Sequence, residues 1–433
     1  MKKFLLLALS QLFAVFVFAD GVPRYYELVT SADQLESGKY YVIIGIPTAE
    51  DLKSDIQYRM AYNGINLTES KGNAGSVTPN ALYAQDGITP SQFSGIIDIG
   101  KDGNVAKPLK FVKNEEKSTT TSTVWNFIDE SATANSQLVG VNSETSAVSD
   151  KHYLLASDET QSVNLNNNLN LWYIAFNNAG FEYIMNAGKT CYLKYDANSY
   201  GDENSLFRVY ALDEKRHIML YKEMETVTAG TSFTGHGTLY YSNKVLMVPD
   251  GVTAKTYTLG THVVNSNKEY ESERFIPANS AVVLHGTAST TYTFPVTTRH
   301  TPTRDADNIL RGLDAAGSTT TGDNSDDNDY YFYKLTTKNK VASSVGFYWG
   351  SDEGAPFTSA AHKAYLAVLK TAAARIQTFL LDGGETTSIN NVSLPTQENT
   401  TEWVYDLSGR RFSTSQSLPK GIYFSNGKKF VVK

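Results

Sequence analysis

Along most of this chain apolar and polar residues alternate in bursts of four to eight, the period of strands buried on one face. In the first half the bursts are Tyr40 to Gly45, Gln57 to Tyr62, Leu109 to Val112, Val124 to Ile128, Gln137 to Val141 and Tyr153 to Ala156. They continue with Leu171 to Phe176, Phe181 to Met185, Cys191 to Tyr195, Leu206 to Tyr210 and His217 to Lys222. Turn formers such as Asn177-Asn178-Ala179-Gly180 and Asn186-Ala187-Gly188 separate them. So many short strands at hairpin spacing predict a β-trefoil-like or barrel module over residues 20–225. A loose repeat of a Trp strand followed by short Tyr strands, around Trp125 and again around Trp172, favours lobes of the trefoil type. Two stretches, Asn63 to Ser94 and Asn114 to Thr123, lack this period and read as surface loops; the second, NEEKSTTTST, is polar and of low complexity.

From about Thr226 the alternation resumes with Gly237 to Tyr241, Lys244 to Val248, Lys255 to Leu259, Arg274 to Pro277, Ala281 to Leu284 and Thr291 to Phe294. After a polar interval come Tyr331 to Leu335, Val345 to Trp349, Ala364 to Leu369 and Ile376 to Leu380. This predicts an antiparallel β-sandwich over residues 226–385. Residues 386–433 are a linker and a short tail of three strands, a β-hairpin or meander. Its last turn is Asn426-Gly427, the pair that best supplies the two positive φ angles of a type I′ hairpin.

The tail carries Y-D-L-S-G-R-R (Tyr405 to Arg411), L-P-K-G-I-Y (Leu418 to Tyr423) and N-G-K-K-F-V-V-K (Asn426 to Lys433). Through Tyr405, Asp406, Gly409, Arg410, Pro419, Gly421, Tyr423, Asn426 and Gly427 it resembles the C-terminal sorting domain of Bacteroidetes type IX secretion cargo, though it is shorter than such tails usually are. The resemblance implies export across the outer membrane, with that membrane's secretion machinery as a partner. The first module, with its opening E-L-V-T-S-A-D-Q-L-E-S-G-K-Y-Y-V-I (Glu27 to Ile43), is similar to an accessory, non-catalytic module of secreted Bacteroidetes proteins. The second resembles another module of such proteins through G-T-L-Y-Y-S-N-K (Gly237 to Lys244), I-P-A-N-S-A-V-V-L (Ile276 to Leu284), N-I-L-R-G (Asn308 to Gly312), G-F-Y-W (Gly346 to Trp349) and H-K-A-Y-L (His362 to Leu366). That likeness brings no known activity. It does bear on Ser359 to Gln377, which is rich in Ala, Leu and Lys and scores as helix by propensity. The resemblance implies two strands there, Lys363 to Leu369 and Arg375 to Leu380, because pairing overrides a preference worth tenths of a kcal/mol per residue.

The N-terminus fits this destination. Lys2 and Lys3 precede an almost unbroken apolar run from Phe4 to Phe18, and Val17-Phe18-Ala19 places small residues for cleavage between Ala19 and Asp20. Residues 1–19 therefore read as a signal peptide, and no later stretch has the length of a transmembrane helix. The 433 residues hold 38 Lys and Arg against 45 Asp and Glu, a net charge of −7, and losing Lys2 and Lys3 makes the chain more acidic still. That argues against nucleic acid as a partner. Cys191 is the only cysteine, so no intramolecular disulfide forms and packed sheets must supply the stability.

Catalytic signatures are missing. No two of the seven histidines stand at H-x-x-x-H spacing, and no G-x-S-x-G elbow or phosphate-binding glycine loop occurs. No cofactor is called for. The oxygen-rich run holding Asp323, Asp326, Asp327 and Asp329 is the candidate metal site, for Ca²⁺, but it lacks the spacing of a known calcium loop and reads better as a solvated loop. Trp125 and Trp172 are the rings to stack on a sugar, set against the commoner role of strand Trp in a core. The expectation is a secreted or cell-surface, non-catalytic protein that binds a carbohydrate, matrix or host ligand. An extracellular glycosidase or peptidase, or a structural envelope spacer, are the alternatives.

Overall fold

The computed structural model describes residues 24–45, 59–66, 71–77, 95–101, 103–130, 138–141, 151–152, 154–157, 169–178, 180–188, 191–196, 206–210, 218–320, 329–373, 375–382, 403–406, 410–413, 418–425 and 428–432. Strand is the dominant element among the described residues, and the pairing is antiparallel except between Val263–Tyr270 and Thr378–Leu381. The chain divides into a compact unit up to Asp382 and a second from Gly383 to Lys433.

The strands up to Glu223 form one large sheet, and strand Lys39–Gly45 gives it its shape. Along one edge it pairs first with Leu109–Lys113 (Tyr41 opposite Leu109) and then with Arg59–Asn66 (Ile44 opposite Ala61). Sharing that edge draws two ends of the sheet together. The path runs through Lys71–Val77, Leu206–Tyr210, Cys191–Asp196, Gly180–Asn186, Trp172–Asn177, Val124–Ile128 and back to Leu109–Lys113. The result is a nearly closed, barrel-like sheet. Gly45 is what lets it close: a Cβ there would sit 2.2 Å from the ring of Tyr195 across the barrel. Inside, alternate residues meet in a column of rings. Tyr41 stacks on Phe111 (4.3 Å), Phe111 on Phe127 (3.9 Å) and Phe127 on Trp172 (5.3 Å). The stretch expected to be a loop from Asn63 begins inside strand Arg59–Asn66 and includes strand Lys71–Val77; much of the rest of it lies outside the described residues.

Between Glu223 and the tail the strands join two further sheets and a two-stranded ribbon, Gly317–Ser318 with Thr358–Ser359. Thr226–Gly230, Thr291–Thr297, Val245–Met247 and Phe275–Ile276 make a small one, and nine strands make the larger. The run Ala281-Val282-Val283-Leu284 shows why this region reads as continuously apolar. Val282 and Leu284 face the small sheet with Phe294 and Leu246, while Ala281 and Val283 face a second core with Tyr257, Phe347 and Leu366. A central strand buried on both faces has no polar side to show. The phrases quoted from this region meet one another. Tyr240 lies over Gly312, where a Cβ would come within 2.0 Å of its ring, and its hydroxyl donates to Asn279 (2.9 Å). Asn308 donates to the Ala281 carbonyl (2.8 Å), and His362 stacks on Tyr241 (3.9 Å). Ser359 to Gln377 contains strand Lys363–Leu369, paired on both edges, and a single helical turn, Lys370–Ala373; strand Thr378–Leu381 follows.

The barrel-like sheet and the smaller sheet share a cluster of Tyr25, Ile96 and Met224 with Met247 and Phe275. Beside it the partly buried Glu27 carboxylate accepts from the Thr297 hydroxyl, and Lys101 pairs with Glu273 at 2.9 Å.

The tail unit is a four-stranded sheet of Arg411–Ser413, Trp403–Asp406, Gly421–Ser425 and Lys428–Val432. The strand Arg411–Ser413 adds to the three expected. Ahead of it the Asp406 carboxylate accepts from the Arg410 N–H (2.9 Å). Tyr423 is buried, donates to the Pro419 carbonyl (2.7 Å) and meets Phe412 edge-on (5.6 Å).

Candidate functional site

The barrel-like sheet carries a concavity of about 610 Å³, bordered by Trp125, Tyr173, Tyr183, Met185, Lys113 and the segment Thr121 to Thr123. Three pieces of chain build it. Strands Trp172–Asn177 and Gly180–Asn186 pair with Tyr173 opposite Met185 and Ala175 opposite Tyr183, so these side chains share the face turned away from the barrel core. Their partners in the alternation, Trp172 and Ile184, are wholly buried. Tyr183 also packs edge-on against Tyr192 (5.1 Å), which fixes its ring.

The second piece is the 3-10 turn Ala32–Gln34, whose Ala32 also borders the cleft. Gln34 Oε1 accepts from the Thr30 and Ser31 N–H groups (2.7 and 3.1 Å), tying the turn down where backbone donors would otherwise be orphaned.

The third is the polar segment Asn114 to Thr123, which the sequence marks only as low complexity. Its short side chains organise it. Asn114 Nδ2 donates to Asn126 (3.0 Å) and its Oδ1 accepts from Lys117 N–H (3.0 Å). Ser118 Oγ accepts from Val124 N–H (3.0 Å), and Thr119 Oγ1 accepts from Thr121 and Ser122 N–H (3.3 and 3.1 Å). Side chains that bond to nearby backbone stand in for a ladder. This holds the hydroxyl-bearing Thr121–Thr123 at the rim of the cleft. Lys113, its one cationic lining residue among those described, pairs with Glu115 at 2.8 Å.

Both candidate rings belong to the barrel core. Trp125 borders the cleft only by an edge: it is 4% exposed and faces the barrel core opposite Trp172. Trp172 is fully buried, stacked on Phe127, with its indole N–H donated to the Val139 carbonyl at 2.8 Å. No face of it is open to a sugar. Tyr173 and Tyr183 stand where the ligand-facing rings belong, and the sequence could have pointed to them only as the outward members of strands whose inward members are Trp172 and Ile184.

Asp329 is exposed at the start of strand Tyr330–Thr336, while Asp323, Asp326 and Asp327 lie outside the described residues. Among the described residues no group of three or more His, Cys, Asp or Glu is placed to hold a metal ion. Ala19 and Asp20 lie outside the described residues, as do Gly409, Asn426 and Gly427. Of the other tail residues, Tyr405 is exposed, Asp406 accepts from the Arg410 N–H, Pro419 accepts from Tyr423, and Gly421 opens the strand that buries Tyr423. Cys191 is buried in the barrel core. No described helix is long and apolar enough to cross a membrane.

A second concavity, about 780 Å³, lies in the region after Glu223 and is bordered by His236, the exposed Phe233, Lys334, Lys363 and several Ser and Thr. Compared with models of known protein families, with curated proteins and with solved structures, the chain matches none.

Proposed function

We propose that this is an extracellular, non-catalytic binding protein, and that the cleft beside Tyr173 and Tyr183 takes a carbohydrate. The make-up of that cleft carries the reading. It offers two tyrosine rings for the apolar face of a pyranose, and Thr121, Ser122 and Thr123 to exchange hydrogen bonds with sugar hydroxyls. Its described lining includes no Asp or Glu, whereas glycoside hydrolysis works through a pair of carboxylates across the scissile bond. Its single lysine is paired, which suits a neutral ligand better than an acidic one. Lining strands pinned on their inner face by Trp172 and Ile184 give a preformed surface, and preorganisation lowers the ordering cost of binding.

Export to the cell surface or medium, addressed by the tail, belongs to the same proposal. Its support is the tail's sequence phrases together with its own compact sheet from Trp403 to Val432. Two assays test the two halves. A broad array of host and plant glycans, probed with the mature chain, should show saturable retention with no release of reducing ends; turnover of any glycan defeats the binding reading. Deleting Glu402 to Lys433 should hold the protein in the periplasm, and unchanged appearance outside the cell would remove the tail's role.

A further inference from the structure

His236 and His285 are far apart in sequence and directly opposite one another in the sheet, on strands His236–Leu239 and Val282–Gly286. Their ring centres are 4.7 Å apart and the rings are steeply inclined, at 72°. Two imidazoles on one ion, each with its nitrogen at about 2.0–2.1 Å from the metal, would have ring centres about 4.5–5.2 Å apart for ligand angles between square-planar and tetrahedral. The observed pair falls inside that range.

The hydrogen bonds at the two rings settle which nitrogens are available. His236 Nδ1 lies 2.8 Å from the Thr234 carbonyl, which can only accept, so Nδ1 carries the proton and Nε2 keeps its lone pair. On the other ring, Nε2 of His285 lies 2.8 Å from the Tyr257 hydroxyl, and that hydroxyl donates to Asp382 at 3.1 Å. With its one proton spent on the carboxylate, Tyr257 must accept from His285 Nε2–H. Nδ1 of His285 is then the bare nitrogen. Asp382 is itself fixed by the Ser266 N–H (2.8 Å). A ring whose far N–H is held by a carbonyl or a carboxylate-backed hydroxyl is the arrangement found behind metal-binding histidines, because it sets the tautomer and aims the other nitrogen.

We propose that His236 Nε2 and His285 Nδ1 form a two-histidine site for a divalent transition-metal ion, with its remaining positions open towards the cleft that His236 borders. Imidazole nitrogens suit Cu²⁺, Ni²⁺ and Zn²⁺ rather than Ca²⁺ or Mg²⁺, and among these the intrinsic order places Cu²⁺ tightest. Lys255, the nearby cation, pairs with Glu269 at 3.6 Å, and Asp382 adds a negative charge on the far side of Tyr257. With no third His, Cys, Asp or Glu in place among the described residues, water or an incoming ligand completes the coordination. The site stands apart from the carbohydrate cleft and does not depend on it.

The test is a titration of the mature full chain with CuCl₂ and ZnCl₂ by calorimetry, with pulsed electron paramagnetic resonance of the Cu²⁺ form. One ion per chain and two coordinated imidazoles are expected, with Cu²⁺ bound at least tenfold more tightly than Zn²⁺. His236→Gln and His285→Gln should each weaken binding at least tenfold, and His262→Gln should leave it unchanged. The resonance experiment needs no variant, so a substitution that unfolds the protein does not spare the proposal. Fewer than two imidazoles on the bound ion, or undiminished binding by folded His236→Gln, overturns it.

Discussion

The barrel-like sheet before Glu223 and the double sheet after it bury their strands differently, and this decides where each offers a site. In the barrel, the strands bordering the cleft bury one face. Trp172 and Ile184 point in, Tyr173 and Tyr183 point out, and the outward residues are free to line a cleft in the middle of the strands. In the double sheet, Val282 and Leu284 face one core while Val283 faces another, so packing uses both sides of the strand. On the strand Val282–Gly286 the polar side chain is left to the end, where His285 sits opposite His236, which opens its own strand. The lesson is positional: one-sided burial leaves a surface along the strand, two-sided burial leaves only its rim.

Substitutions can break that comparison, and the largest effect belongs to the barrel core. Trp172→Ala removes a fully buried indole, its contact with Phe127 and its bond to Val139, and should cost about 3–5 kcal/mol in chemical denaturation. An effect under about 1 kcal/mol would mean the ring column does not hold the barrel.

The rim of the double sheet should show itself in pH. Burial holds the proton affinity of His285 at about 4, below its ordinary 6.5. As pH falls below about 6.5 the unfolded chain takes up a proton that the folded ring refuses, so stability declines and levels off near pH 4. The loss is at most about 3 kcal/mol, and His285→Gln should flatten most of that slope in urea melts run from pH 7 to 4. A slope unchanged by the substitution would assign the dependence to other groups.

The two regions also share a device, and it gives a smaller, matched test. Gly45 lies under Tyr195 and Gly312 under Tyr240, where a Cβ would come within 2.2 and 2.0 Å of a ring. Gly45→Ala and Gly312→Ala should each cost about 1–3 kcal/mol by overpacking. The smallest effect should come from the outward face of the barrel: Tyr173→Ala and Tyr183→Ala should each lower stability by less than about 1 kcal/mol, since both rings are partly exposed. Their consequence should appear in ligand retention instead.

The strands were largely legible in the alternation, but Lys363–Leu369, where helix propensity pointed the other way, was expected from the resemblance. Strand Arg411–Ser413 was not, because three residues with one apolar side chain make no period. The site was legible by type but not by residue. Trp125 and Trp172 stand opposite one another and are both buried in the barrel core, and only the closure of the sheet leaves the outward Tyr173 and Tyr183 as the rings that line the cleft. Asn114 to Thr123 looked structureless because its order comes from side-chain bonds to nearby backbone, which leave no hydrophobic pattern. His236 and His285 are joined by register alone, a long-range property that local spacing cannot reveal.

The central claim, that the outward tyrosines of the barrel hold a carbohydrate, is tested most directly by one comparison on the glycan array. The mature chain should be retained saturably by at least one glycan, and a folded Tyr173→Ala/Tyr183→Ala double variant should lose at least tenfold in affinity for it. Equal retention by the double variant, no retention by either protein, or release of reducing ends would contradict the account.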